Sequence, residues 1–101
     1  MALKKIALIS DVPAGTGKKI EINGRTLALF NAGGKFYCVD GKCPHRGAPL
    51  YEGSVEGKEL VCPWHGSRFD LETGHLKSGP ATGGINFYTV KVQGRDVYLY
   101  V

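Results

Sequence analysis

Polar and apolar residues alternate with a period of two along much of this chain. Residues 18–22 (Lys-Lys-Ile-Glu-Ile), 86–92 (Asn-Phe-Tyr-Thr-Val-Lys-Val) and 96–101 carry the pattern most cleanly. Such alternation marks strands with one face toward a core. Residues 3–9 are mostly apolar and β-compatible, and residues 25–30, 35–39, 59–61 and 67–71 read as further short strands. Turn signals separate them. Asn23-Gly24 predicts a two-residue hairpin. Residues 31–34, 53–58 and 72–74 read as turns, residues 77–84 as a loop containing Gly and Pro, and Gln93-Gly94-Arg95 as the turn between the last two strands. The longest helix-compatible stretch, near residues 49–54, spans one or two turns. Eight to ten short strands predict an all-β fold, a small antiparallel sandwich or barrel.

Composition agrees with that picture. The chain has 101 residues, enough for one domain over 1–101, and its 15 glycines and 5 prolines suit many tight turns. A chain this short buries a modest core, so a bound metal centre would add stability. The net charge is +4 and the isoelectric point about 9.1. The basic residues are dispersed and do not interleave with aromatics, so nucleic acid is not an expected partner. No stretch reaches the ~18 apolar residues of a membrane span. Residues 1–9 lack the apolar core of a signal peptide. Residues 14–18 look superficially like a phosphate loop, but Val12 stands where its first glycine should be, and Lys19 where Ser or Thr should follow the lysine. Three cysteines make an odd number and argue against a disulfide framework. A reducing, cytoplasmic setting is expected.

Cys43-Pro44-His45-Arg46-Gly47 and Cys62-Pro63-Trp64-His65-Gly66-Ser67 hold all but one of the cysteines and all but one of the histidines. Each stretch offers one thiol and one imidazole. With a single residue between Cys43 and His45, closing both on one small ion strains the ring, and two adjacent metals relieve that. Thiolate suits iron next to sulfide, and imidazole can replace thiolate on a second iron. Cys43 and Cys62 then bind one iron and His45 and His65 the other. A tetrahedral zinc site with two Cys and two His is the rival. Cys38, in an apolar strand, reads as a buried core thiol. His75, after the turn at residues 72–74, reads as an exposed histidine.

These residues, with Ala48, Phe69-Asp70, Gly79-Pro80-Ala81 and residues 88–92, resemble the Rieske family over most of the chain. The resemblance implies one [2Fe-2S] cluster at the tip of an antiparallel β domain, in a cluster-binding subdomain of about residues 41–80. It also implies histidines at the surface end of the cluster and a Pro80 loop covering one side. High-potential members carry two further cysteines, where this chain has Ala48 and Trp64. They also use a Ser and a Tyr hydroxyl to stabilise the reduced cluster. Ser67 is kept, and Phe69 stands where the Tyr would be. Hydrogen bonds to cluster sulfurs favour the added electron, so the expected midpoint lies in the lower half of the range of about −150 to +300 mV. Thr82-Gly83-Gly84-Ile85 departs from the Pro-Leu step common after the Gly-Pro loop.

Around the four ligands, Gly47 and Gly66 are expected to let backbone N–H groups approach the cluster sulfurs. Trp64 either shields the cluster or packs between the loops. Arg46, Arg68 and Lys42 form a rim, solvated or facing an acidic partner, and Asp70 buttresses a loop by bonding Arg46 or a backbone N–H. The functional expectation is a soluble ferredoxin, a one-electron carrier and not an enzyme, monomeric when free. It would pass electrons from a separate reductase to a separate oxygenase or oxidoreductase. A Rieske-like small subunit of a nitrite reductase and a zinc-stabilised interaction module are the alternatives.

Overall fold

Short antiparallel hairpins build the protein, as the alternation predicts. The computed structural model describes residues 2–44, 47–64, 66–79 and 83–100. The strands are β1 (Leu3–Leu8), β2 (Gly17–Ile22), β3 (Arg25–Ala32), β4 (Lys35–Asp40), β5 (Ser54–Glu56), β6 (Glu59–Val61), β7 (Arg68–Asp70), β8 (Leu76–Ser78), β9 (Phe87–Tyr88), β10 (Val90–Gln93) and β11 (Asp96–Tyr100). The described residues thus hold eleven strands, more than the eight to ten expected. Among the described residues helix is limited to two single 3-10 turns, Ile9–Asp11 and Leu50–Glu52, the second inside the predicted helix-compatible stretch. Three sheets form, in the orders β1-β11-β10, β2-β3-β4-β9 and β5-β6-β7-β8.

The β3–β4 hairpin is the centre of the molecule. Successive side chains of a strand point to opposite faces, and here both faces are covered. Leu27, Leu29 and Cys38 enter one core with Ile20, Ile22, Val97 and Leu99. Ala28, Phe30, Tyr37 and Val39 enter the other with Leu50, Leu60, Phe69, Leu71 and Ile85. Fully burying one such large side chain contributes about 1.5–3 kcal/mol, so these two cores dominate stability. The second core joins the central sheet to the third. Tyr37 adds a polar tie there, its hydroxyl donating to Glu72 Oε1 at 3.1 Å, while Lys58 Nζ approaches the same oxygen at 3.0 Å.

Four boundaries differ from the periodicity. Residues 86–92 are not one strand. β9 pairs with β4 through Cys38↔Tyr88 and Val39↔Phe87, whereas β10 pairs with β11 through Val90↔Leu99. The chain changes sheets at Thr89, and side-chain alternation survives the change because only the ladder partner differs. The turn expected at residues 31–34 is shorter: Ala32 pairs with Lys35, leaving Gly33-Gly34 as the connection. Asn31 is buried inside β3, where its Nδ2 donates to the Val12 carbonyl at 2.8 Å and its Oδ1 accepts the Gly34 N–H at 2.7 Å. Residues 53–58 contain β5, and the predicted loop at 77–84 begins inside β8. Both strands are three residues long, too short for alternation to reveal.

Candidate metal centre

The two Cys-containing stretches fold as equivalent loops. The first leaves β4 through Gly41, and a bridge between Lys42 and Pro49 closes its base. Within it the Cys43 N–H donates to the Ala48 carbonyl at 2.9 Å, and the Gly47 N–H returns to the Cys43 carbonyl at 2.8 Å. The second is the tip of the β6–β7 hairpin, based on the Val61↔Arg68 pair. There the Cys62 N–H donates to the Ser67 carbonyl at 2.7 Å. Each loop therefore reads Cys-Pro-x-x-Gly-small, with the first N–H bonded to the sixth carbonyl. The glycine is fifth in both, with φ of +69° at Gly47 and +75° at Gly66, a left-handed conformation costly for other L-residues. Ala48 and Ser67 fill the buried sixth place. The histidine stands third in one sequence and fourth in the other.

This construction delivers two thiols to one point. Cys43 and Cys62 are both buried in the core shared with Leu60 and Phe69, and their sulfurs lie within hydrogen-bonding reach of each other. Burial pushes the Cys62 thiol up. The Trp64 backbone N–H, which donates to the Cys62 sulfur, works against that, and the neighbouring Cys43 adds to the upward shift. Two adjacent buried sulfurs cannot both ionise without positive charge between them, and a metal supplies it. The donor set fits a metal–sulfur group for that reason. His45, Arg46, His65 and Pro80 lie outside the described residues.

The remaining predicted residues find distinct places. Ser67 is 1% exposed and Phe69 wholly buried, so both face inward as expected of residues beside a cluster. The Trp64 side chain is 48% exposed, so the indole does not pack into the interior between the loops. Arg68 is engaged within its own sheet, 2.9 Å from Glu56 and 3.4 Å from Glu59, which removes it as a free cation for an acidic partner. Lys42 is exposed on the rim. Asp70 buttresses its turn through backbone N–H groups, accepting from Glu72 at 2.7 Å and Thr73 at 3.1 Å. His75 is exposed. Cys38 is buried in the opposite core, its thiol pushed up to about 12 by burial, with nearby Asp40 adding to it. The reading of spacing alone did not isolate Ala48 as the counterpart of Ser67, or the Trp64 N–H as a donor to sulfur. Aligning the two loops on their glycines would have found the first.

The comparisons with known proteins decide what this centre is. The model of the Rieske [2Fe-2S] domain matches residues 2–99. The chain belongs to the Rieske family. A ferredoxin component of naphthalene 1,2-dioxygenase/salicylate 5-hydroxylase systems from Ralstonia sp. is 37% identical over 93 residues, covering 92% of this chain and 89% of that protein. The 3-phenylpropionate/cinnamic acid dioxygenase ferredoxin subunit of Escherichia coli is 38% identical over 92 residues, covering 90% and 86%. Among solved structures, a chain of the complex of reduced oxygenase and oxidised ferredoxin in carbazole 1,9a-dioxygenase superposes with a TM-score of 0.87. It shares 33% identity, with 96% of this chain and 91% of that chain covered. The group of this Rieske domain is one [2Fe-2S] cluster.

Proposed function

We propose that the protein is a soluble, cytoplasmic Rieske ferredoxin that takes one electron from a separate reductase and delivers it to a terminal oxygenase. The observation that carries this reading is the pair of equivalent loops aiming two buried sulfurs at one point. The end-to-end similarity to ferredoxin components of dioxygenase systems supports it. Cys43 and Cys62 would hold one iron and His45 and His65 the other. Bound there, the cluster accepts and releases a single electron.

The chain's own residues set the conditions for that exchange. Burial of both sulfurs keeps water from the thiolates, and the Trp64 N–H stabilises negative charge on Cys62. Replacing two thiolates by neutral imidazoles leaves the oxidised centre formally neutral, which eases addition of an electron. Ser67 favours the reduced state, whereas Phe69 brings no hydroxyl, so the midpoint falls in the lower half of the range of about −150 to +300 mV. The segment at about 41–80 would serve as the cluster-binding part. The free protein is a monomer that docks weakly and sensitively to salt, as small redox interfaces do.

Expression with ample iron, followed by iron and acid-labile sulfide assays and EPR after reduction, tests the reading. His65→Ala should abolish the Rieske signal and His75→Ala should leave it intact. A colourless, zinc-loaded protein without sulfide would overturn the assignment.

A further inference from the structure

The end of β8 lies against the second ligand loop, and its register is shifted to do so. Phe69 pairs with Leu76, but Arg68 pairs with Ser78, so Lys77 is an inserted residue. A bulge of this kind moves every later residue by one place. Continued one step beyond β8, the shifted register sets Gly79 opposite Ser67. An unbroken register would set Ser78 there instead.

Only glycine meets the demands of that place. Gly79 has φ of +108°, a conformation L side chains rarely adopt. A Cβ on Gly79 would lie 2.5 Å from Ser67 Cα, 2.8 Å from Ser67 Oγ and 3.0 Å from Ser67 Cβ. No methyl group fits at those separations. The restriction is local: at Gly83, in the following connection, a Cβ would meet no atom within 4 Å among the described residues. Ser67 is 1% exposed and its carbonyl closes the Cys62 loop at 2.7 Å. The backbone of Gly79 thus rests on the residue that fixes the Cys62 loop, with the Ser67 hydroxyl turned toward the contact.

We propose that Gly79, brought into place by the Lys77 bulge, is a positioning residue of the metal centre. Its missing side chain lets the end of β8 clamp Ser67 and thereby hold Cys62 and the Ser67 hydroxyl where they set the reduction potential. The inference rests on the ligand set proposed above. The atoms nearest a Cβ on Gly79 all belong to Ser67, so its effect on Cys62 is transmitted through the loop.

The test uses full-length, cluster-loaded protein and direct electrochemistry. Gly79→Ala should lower the midpoint and speed loss of visible absorbance on incubation with a chelator, with far-UV circular dichroism unchanged. Gly83→Ala should match wild type in all three. Should Gly79→Ala take up no cluster, its circular dichroism is compared with that of wild-type protein stripped of its cluster. A matching spectrum places the loss at the centre and not in the fold, as the clamp requires. Wild-type midpoint in Gly79→Ala, or an empty variant that has lost the sheet signal, would overturn the clamp. Absence of a Rieske signal from the wild-type protein would instead refute the ligand reading, so the two failures are separable.

Discussion

The Cys62 N–H donates to the Ser67 carbonyl at 2.7 Å, and this bond gives the second ligand loop its six-residue span. The Cys43–Ala48 bond at 2.9 Å does the same for the first. Both loops must reverse direction between those ends, and Gly47 and Gly66 make the reversal with positive φ. Loop shape and ligand placement are therefore one property.

Replacing Gly66 by alanine should strain that reversal by about 1 kcal/mol, and asparagine, which tolerates the left-handed region, should cost less. The expected order of bound iron per chain and of thermal midpoint is wild type, Gly66→Asn, Gly66→Ala. Equal values for the three proteins would show that the left-handed turn is not what shapes the loop.

Asn31 supports the central hairpin from within. Its carboxamide satisfies the Val12 carbonyl and the Gly34 N–H, and Asn31→Ala leaves both without that partner. An unmet buried group such as the Val12 carbonyl costs about 1–3 kcal/mol and the half-buried Gly34 bond adds less, so a loss of about 2–3 kcal/mol is expected. Urea unfolding should show it as a lower midpoint with an unchanged slope. A change under half a kcal/mol would mean that water takes over both bonds.

Tyr88 donates from its hydroxyl to Asp40 Oδ1 at 2.7 Å, and burial together with this bond pushes its phenol up to about 12. The folded state thus favours the neutral phenol relative to the unfolded chain, whose tyrosine titrates near 10. The stability from this group is fully present below about pH 10 and is lost as pH rises toward 12. After allowance for solvent screening it amounts to about 1–2 kcal/mol. Tyr88→Phe should lower stability at pH 8 and flatten the decline between pH 10 and 12. A variant as sensitive to alkali as the wild type would assign that decline to other groups.

Cys38 should be chemically silent in the folded protein. Its burial and raised thiol leave about one thiolate in ten thousand at pH 8. Iodoacetamide should label it only at the rate of unfolding, measured by mass spectrometry across a urea series. Labelling in native buffer at the rate of an exposed cysteine would contradict its place in the core.

Much of the centre was legible before any tertiary structure, because its determinants are local. Ligand type and spacing lie within a few residues of one another, and so do the Pro and Gly that shape each loop. The Asn23-Gly24 turn was legible for the same reason: positive φ at both residues, +51° and +74°, is a property of the dipeptide. The inward positions of Phe69 and Ser67 and the ion pairs of Arg68 were not legible in the same way. Its partners Glu56 and Glu59 sit on β5 and β6, and sequence spacing does not reveal cross-strand ion pairs.

The sequence by itself determined the all-β class, the tight turns and the spacing of Cys and His in the two loops, since each follows from short-range sterics and residue chemistry. Only the tertiary structure decided that the strand predicted at 86–92 breaks at Thr89, how Asn31 bonds across to Val12, and that Gly79 faces Ser67. Those depend on strand register and on hydrogen bonds between distant segments. Periodicity tells which face a residue occupies, but it does not name the strand across from it.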